Sequence, residues 1–548
     1  MMITGNDLLA EALVRQGTER LFFLMGAPIL AASAACAAAG IRMIDVRHEQ
    51  AAAMMAHASA RVLARPGVCL AAAGPGIVNL AAGLANALID GAPVVALGGA
   101  SPIGEWDTGA FQDIDQLAIM RPVTKWAARV HEAQRIPEYI HRAFAAALSG
   151  KLGPVYLDLP GDVLYQTVED AAVTRPPRLA AAAAAGPVAA AEAVARLVEL
   201  LQRATRPIVL VGSGVLWSRA APELRRFVAA TGVPCYTTPQ ARGVVPEDEP
   251  AMFPGARSFA FHEADLVLVV GTRLNYVVGF GRPPRFAAAA TFIRIDIDPQ
   301  EIACDERAAL GIVGDAKAVL EQLLEATPGQ INPDRYAAWR DRLAAVEAER
   351  RGTRTAWLGS AQVPIHPLRL CREIGAFMRR DTILIADGQE ILHYARQSLP
   401  SFVAGHRLNS GPFGTMGVGL PFAIGAKAAK PEVEVIVLHG DGSFGLNAME
   451  LDTSIRHRLP VLVVISLNGG WTAAGDAHRA GRDLGQTRYD RLAQALGCYG
   501  ELVERPEDIH PALERARHAI GEGRTAVLNV VTDSRARAET GAYARYRT

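Results

Sequence analysis

The chain has 548 residues, half of them apolar, with 56 basic and 56 acidic side chains and a formal net charge of zero. That balance gives no electrostatic footprint for nucleic acid or an anionic membrane surface, and the length allows about three or four domains, each with its own core. Six scattered cysteines (Cys36, Cys69, Cys235, Cys304, Cys371, Cys498) with no CxxC pair argue against a zinc site or a disulfide framework and predict small buried thiols in a reducing, cytoplasmic setting.

The opening MMITGNDLLAEALVRQG carries Asp7 and Glu11 and reads as an amphipathic helix rather than a secretion signal. Residues 1–170 then alternate the strand-like runs RLFFLM, IRMIDV, GVCLAAA, PVVALGG and PVYLDLP with helical stretches such as EQAAAMMAHASARVLA. Such alternation predicts a parallel sheet with helices on both faces. The most membrane-like window, residues 68–89, is broken by Gly74-Pro75-Gly76, Asn79 and Asn86, and is expected to be a buried strand, a turn and a buried helix. Glu49 stands between IRMIDV and an alanine-methionine run. It is either an acidic residue favoured by a helix N-terminus or a working carboxylate in a dry place.

Residues 171–190, rich in Ala and Pro, read as a linker. The second block, 191–345, has the strands PIVLVGS, LVLVVGT and TFIRIDID. Its VGSGV turn is half a dinucleotide fingerprint, with Trp217 where a third glycine belongs, and is taken as a tight turn. After a charged helix, the third block, 355–534, brings TILIADG, EVIVLHGDG, PVLVVISLN and TAVLNVVT, and residues 535–548 form a tail. The expected fold class is α/β, with three doubly wound parallel-sheet domains whose ligands lie beyond the carboxyl ends of the strands.

The sharpest motif is HGDGSFGLNAMEL, where a strand ends and a helical pattern opens directly behind it. Backbone N–H groups at such a junction cradle a phosphate. Asp441 supplies a hard oxygen for a divalent cation, Asn468 brings an amide oxygen 27 residues further on, and Gly470 can add a backbone carbonyl.

This GDG-to-Asn spacing resembles the motif of thiamine diphosphate (ThDP) enzymes, and the three blocks resemble their pyrimidine-binding, middle and diphosphate-binding domains. The family pattern ends in two asparagines, whereas this chain has Leu467-Asn468 and retains the second. GPFGTMGVG resembles the segment that holds the cofactor bent, implying a ring contact for Met416 and an acceptor carbonyl at Gly414. ADGQE resembles a second diphosphate loop through Gly388 and Gln389. Pro28, Asn79, Gly442, Ser443 and Asn468 complete the implied cofactor positions, and Mg2+ the implied metal, on Asp441, Asn468 and Gly470. By the same resemblance, Glu49 is the catalytic carboxylate that reaches the pyrimidine ring of a cofactor held by a partner chain. A homodimer is then the smallest active unit, and a homotetramer the expected assembly.

Within that family, ADLVLVVGTRLNYVVGFGRPPRF, GHRLNSGPFGTMG and GAFQDIDQ resemble the branch of 2-hydroxyacyl-CoA lyases and oxalyl-CoA decarboxylases. The resemblance implies reversible cleavage of a 2-hydroxyacyl-CoA to formyl-CoA and an aldehyde or ketone, with Gln112 orienting the substrate. Two alternatives stand beside it. One is an acetolactate-synthase-like or decarboxylating enzyme acting on a 2-oxo acid or oxalyl-CoA; the other is a non-catalytic nucleotide-binding protein on the same scaffold. Substrate contacts are expected from Arg407, Arg545 and Arg547, the last two on a tail that can close over the site. Asp296 is expected to hold the ribose of a middle-domain nucleotide, ADP ahead of FAD. The expected partners are an acyl-CoA or small carbonyl compound, with neither nucleic acid nor membrane.

Overall fold

The computed structural model describes residues 1–179, 186–471 and 480–538. Part of the Ala/Pro-rich linker and most of the C-terminal tail, with Arg545 and Arg547, lie outside the described residues.

Three wholly parallel sheets carry the chain. The first runs, in spatial order, Arg42–Asp45, Arg20–Leu24, Gly67–Ala71, Val94–Ala100, Val155–Pro160, Trp126–Arg129. The second is Cys235–Thr237, Pro207–Val211, Leu266–Val270, Thr291–Asp296, Ala308–Val313. The third is Arg407–Asn409, Ile383–Asp387, Val435–Gly440, Leu462–Leu467, Ala526–Val531, Tyr499–Val503. The expected α/β architecture of three doubly wound sheets is what the chain adopts. The first and third sheets share one strand order, so each has its crevice between its first and third strands in chain order.

Central strands such as PIVLV, LVLVV and LVVISL are buried along their whole length, as strands covered on both faces should be. That continuous apolar character made them legible. The strands the sequence did not reveal, Trp126–Arg129, Cys235–Thr237, Ala308–Val313, Arg407–Asn409 and Tyr499–Val503, all lie at sheet edges. They are either three residues long or half exposed, which erases the apolar run. A short antiparallel ribbon, Met2–Thr4 with Thr167–Glu169, also escaped notice. Five of the six cysteines are buried and Cys304 is exposed. Among the described residues no helix is long and apolar enough to cross a membrane.

The helix Glu49–Leu63 has almost no exposed face, and that explains its alanines. On one side it meets the helix Pro75–Asp90, where a methyl group on Gly83 would lie 2.6 Å from the Ala53 Cβ. On the other it meets Gly419–Ala429 of the third sheet's layer, where a methyl group on Gly425 would lie 2.4 Å from the Met55 carbonyl oxygen. The Phe422 ring completes this seam by packing edge-on to His57 at 4.9 Å between centroids. Gly425→Val should therefore cost about 3 kcal/mol through overpacking, read as a lower urea midpoint; an unchanged midpoint would contradict this packing.

Candidate active site

In the third sheet the crevice falls between Ile383–Asp387 and Val435–Gly440, and the turns after these strands supply its floor. Asp441 opens the short helix Asp441–Gly445 and is 2% exposed. Its Oδ1 accepts from the Gly442 N–H at 2.9 Å and its Oδ2 from the Gly469 N–H at 2.7 Å. The second bond joins two neighbouring strand ends and brings Asn468 beside Asp441. Burial pushes the Asp441 carboxyl up to about 6, against the backbone donors that lower it. Asn468 Oδ1 accepts from the Gly470 N–H at 3.2 Å. Asp441, Asn468 and Gly470 line one cleft together with Gly388, Gln389 and Met416, and Gly442 and Ser443 line it too.

Two glycines keep this cleft open. Gly388 has φ +119°, and a methyl group there would crowd the Gly440 N–H at 3.1 Å; one on Gly442 would meet the Trp471 ring at 2.8 Å. The Ser443 hydroxyl donates to the Gly440 carbonyl at 3.0 Å, tightening the turn. Gly414, at φ +78°, has open space where a side chain would go, and Met416 is 39% exposed. Beneath the two loops the buried Asp387 carboxylate accepts the Gly419 N–H at 2.9 Å, while its Oδ1 has no hydrogen-bond partner. Among the described residues no three His, Cys, Asp or Glu side chains gather into a metal cluster. A cation here would draw on one carboxylate, an amide, a backbone carbonyl and ligand oxygens, a donor set suited to magnesium on a diphosphate.

Glu49 does not line that cleft. It opens the helix Glu49–Leu63 at the end of the first sheet, 8% exposed, and its Oε2 accepts from Asn79 Nδ2 at 2.9 Å. Gly76 lies directly against its other oxygen, where a methyl group would come within 3.2 Å. Pro28 follows a cis peptide bond and packs on Gly99 and Gly161. Gln112 adopts φ +62°, a conformation costing a non-glycine residue about 1–3 kcal/mol, and its buried Oε1 has no hydrogen-bond partner. An orphaned amide oxygen of this kind is suited to contact a ligand.

Family models match all three parts of the chain: "Thiamine pyrophosphate enzyme, N-terminal TPP binding domain" over residues 3–119, the central domain over 194–323 and the C-terminal TPP binding domain over 391–530. The chain belongs to the thiamine diphosphate enzyme family. It is 36% identical over 542 residues to a probable acetolactate synthase of Mycobacterium bovis, covering 96% of each chain. It is 33% identical to a 2-hydroxyacyl-CoA lyase of Oryza sativa (99% of this chain, 97% of the relative) and 31% identical to the oxalyl-CoA decarboxylase of Escherichia coli (98% and 97%). The cleft in the third domain fits a ThDP diphosphate, with its glycine-lined turns and buried Asp441.

The other expected residues fall elsewhere. Asp296 ends a middle-sheet strand, where burial raises its carboxyl, and it lines a cavity of about 1130 Å³ bordered by residues of all three domains. Gly214 and Gly271 cross at that sheet's own crevice, a methyl group on Gly214 lying 2.6 Å from the Gly271 Cα. The VGSGV turn is thus a tight crossing at a cavity mouth. Arg407 is 2% exposed on an edge strand; its Nη2 donates to the Ala395 carbonyl at 3.1 Å, its Nη1 has no hydrogen-bond partner, and burial with Arg242 and Arg396 nearby lowers its guanidinium. The start of the tail does reach the cleft, through Ala536, and the Ala538 N–H donates to Glu390 at 3.0 Å.

Sequence reasoning missed Glu450, which is 1% exposed. Its Oε1 accepts from the backbone N–H groups of Arg47 and His48 at 3.1 and 3.2 Å, so the third domain fixes the turn that presents Glu49. Nothing in NAMELDTSIRH marks it, since its partners are more than 400 residues away. Burial raises the Glu450 carboxyl from 4.5 to about 7. A carboxyl raised in the folded state contributes stability that is full below about 4.5 and lost as pH climbs through about 7. Glu450→Gln, neutral throughout, should compare with wild type more favourably near pH 8.5 than near pH 5 in melting temperature; a pH-independent difference would contradict this.

Proposed function

We propose that the enzyme is a magnesium-dependent lyase that cleaves 2-hydroxyacyl-CoA thioesters to formyl-CoA and an aldehyde or ketone, and that it runs in either direction. The observation that supports a CoA thioester over a small oxo acid is a cluster of arginines between the middle and third domains. Arg257 has Nε and Nη2 without hydrogen-bond partners, as has Arg396 at Nε. Burial first, then Arg285, Arg396 and Arg242, lowers the Arg257 guanidinium to about 9, and burial lowers Arg396 to about 10. Arg242 is satisfied by Glu247 through two bonds of 2.5 Å. Crowded cations with unspent donors suit a polyphosphate, which CoA carries and pyruvate lacks. The helix Glu390–Ser398 links the two regions, presenting Glu390 and Tyr394 to the diphosphate cleft and Arg396 to the large cavity.

Bound ThDP supplies a nucleophilic carbon and a sink for the electron pair released when the carbon–carbon bond breaks. Asp441, Asn468 and the Gly470 carbonyl hold the magnesium, and the glycine turns at Gly388 and Gly442 admit the diphosphate. Glu49, oriented by Asn79, holds a proton at the aminopyrimidine ring of a cofactor bound to a second copy of the chain. Gln112 accepts from the substrate hydroxyl. Exposed apolar residues on both halves, Phe111 and Val78 on the first domain and Phe413, Leu446 and Met449 on the third, support a homodimer that covers them, itself paired into a tetramer. The cavity beside Asp296 would take ADP in preference to FAD.

The 36% identity to a probable acetolactate synthase favours a second reading, carbon–carbon joining from a 2-oxo acid. Product analysis with a 2-hydroxyacyl-CoA and with pyruvate separates the two: formyl-CoA from the first is expected, and acetolactate from pyruvate alone would overturn the proposal. Arg257→Ala should raise KM for the thioester by about 10–100-fold with little loss of kcat; an unchanged KM would remove the arginine cluster from the substrate site.

A further inference from the structure

Gln112 keeps its left-handed backbone and its orphaned amide oxygen only because something over-determines the loop that carries it. A buried polar network lies directly behind that loop. Gln116, 2% exposed, accepts the Gly74 N–H at Oε1 at 2.7 Å. Its Nε2 faces the Gly99 carbonyl at 3.0 Å and Asp158 Oδ1 at 2.6 Å. Tyr156 donates to the same Asp158 oxygen at 2.6 Å, and Arg129 Nε donates to the other at 2.6 Å.

The network has two outlets, one at Gln112 and the other at its neighbour Phe111. Through Gly74, at φ +60°, it sets the start of the helix Pro75–Asp90, where a methyl group on Gly74 would lie 2.7 Å from the Gln112 carbonyl oxygen. The same helix brings Gly76 and Asn79 against Glu49. Through Arg129, whose guanidinium stacks on the Trp106 ring at 3.8 Å, it reaches the far side of the loop. Trp106 Nε1 donates to the Ser101 carbonyl at 3.0 Å, and Ser101 Oγ to the Phe111 carbonyl at 3.1 Å. Gln116 therefore holds the amide of Gly74, the residue that packs against Gln112 and opens the helix carrying Gly76 and Asn79 to Glu49.

We propose that Gln116 is a positioning residue: together with Asp158 and Arg129 it sets the distance and angle between Gln112 and Glu49, and acts on catalysis through Gln112. The inference rests on the reading of Glu49 and Gln112 as site residues, and it holds for either substrate class.

Two measurements on the full-length protein test it. In hydrogen-exchange mass spectrometry, Gln116→Met should speed exchange over residues 101–115 by about tenfold or more while leaving residues 49–63 as in wild type. Ser101→Ala, which cuts the other anchor without disturbing the buried carboxylate, should act in the same direction and serves if Gln116→Met does not fold. In a double-mutant cycle on whichever substrate the wild type turns over, Gln116→Met should lower kcat by about tenfold or more on its own but add nothing to Gln112→Ala. Unchanged exchange over 101–115 in both variants, or effects on kcat that simply multiply, would overturn the positioning role. A wild type inert towards both substrate classes would instead overturn the functional reading, leaving the exchange result to decide the network.

Discussion

The site depends on one helix that is allowed no slack. Glu49–Leu63 is held between two other helices at glycine contacts too close for a side chain, and the turn just before it is gripped by Glu450 across the domain boundary. A helix buried on all faces cannot slide or rotate without opening a void or a clash, and interiors at crystal-like density resist both. Glu49, as its first residue, inherits that rigidity. Its alanines are small because three layers of backbone meet there, and its carboxylate is dry because the same layers exclude water.

The remaining architecture follows from where parallel sheets leave room. All three sheets open their crevice between the strand that comes first and the one that comes third in the chain, and each crevice carries a distinct chemistry. In the third sheet it holds Asp441, Asn468 and the glycine turns. In the first it holds Pro28 and the Gly74 turn against which Gln112 rests. In the middle sheet it opens into the large cavity beside Asp296. A single topological rule thus places a diphosphate cleft, a carboxylate pocket and a candidate nucleotide cavity along one chain.

What was legible in the sequence was whatever repeats locally. Central strands read as unbroken apolar runs, and the turns after them read as motifs because glycine, aspartate and asparagine are demanded by backbone geometry within a few residues. Edge strands such as Cys235–Thr237 and Arg407–Asn409 are too short to show a pattern. Glu450 and Gln116 were illegible for another reason. Each sits inside a recognisable motif, but each acquires its role from backbone amides brought to it by tertiary folding, from Arg47 and His48 in one case and from Gly74 in the other. Local chemistry announces itself; long-range support does not.

The proposal at the centre of this account is that Glu49 of one copy serves the diphosphate cleft of another; within one chain Glu49 does not line the Asp441 cleft. Subunit complementation tests it most directly. Glu49→Gln and Asp441→Ala, each inactive alone, are co-refolded or co-expressed in equal amounts so that mixed dimers form. The account predicts recovery of about a quarter of wild-type activity, because half of the dimers then carry one intact site of two. Mixed dimers that form but show no recovered activity would contradict it.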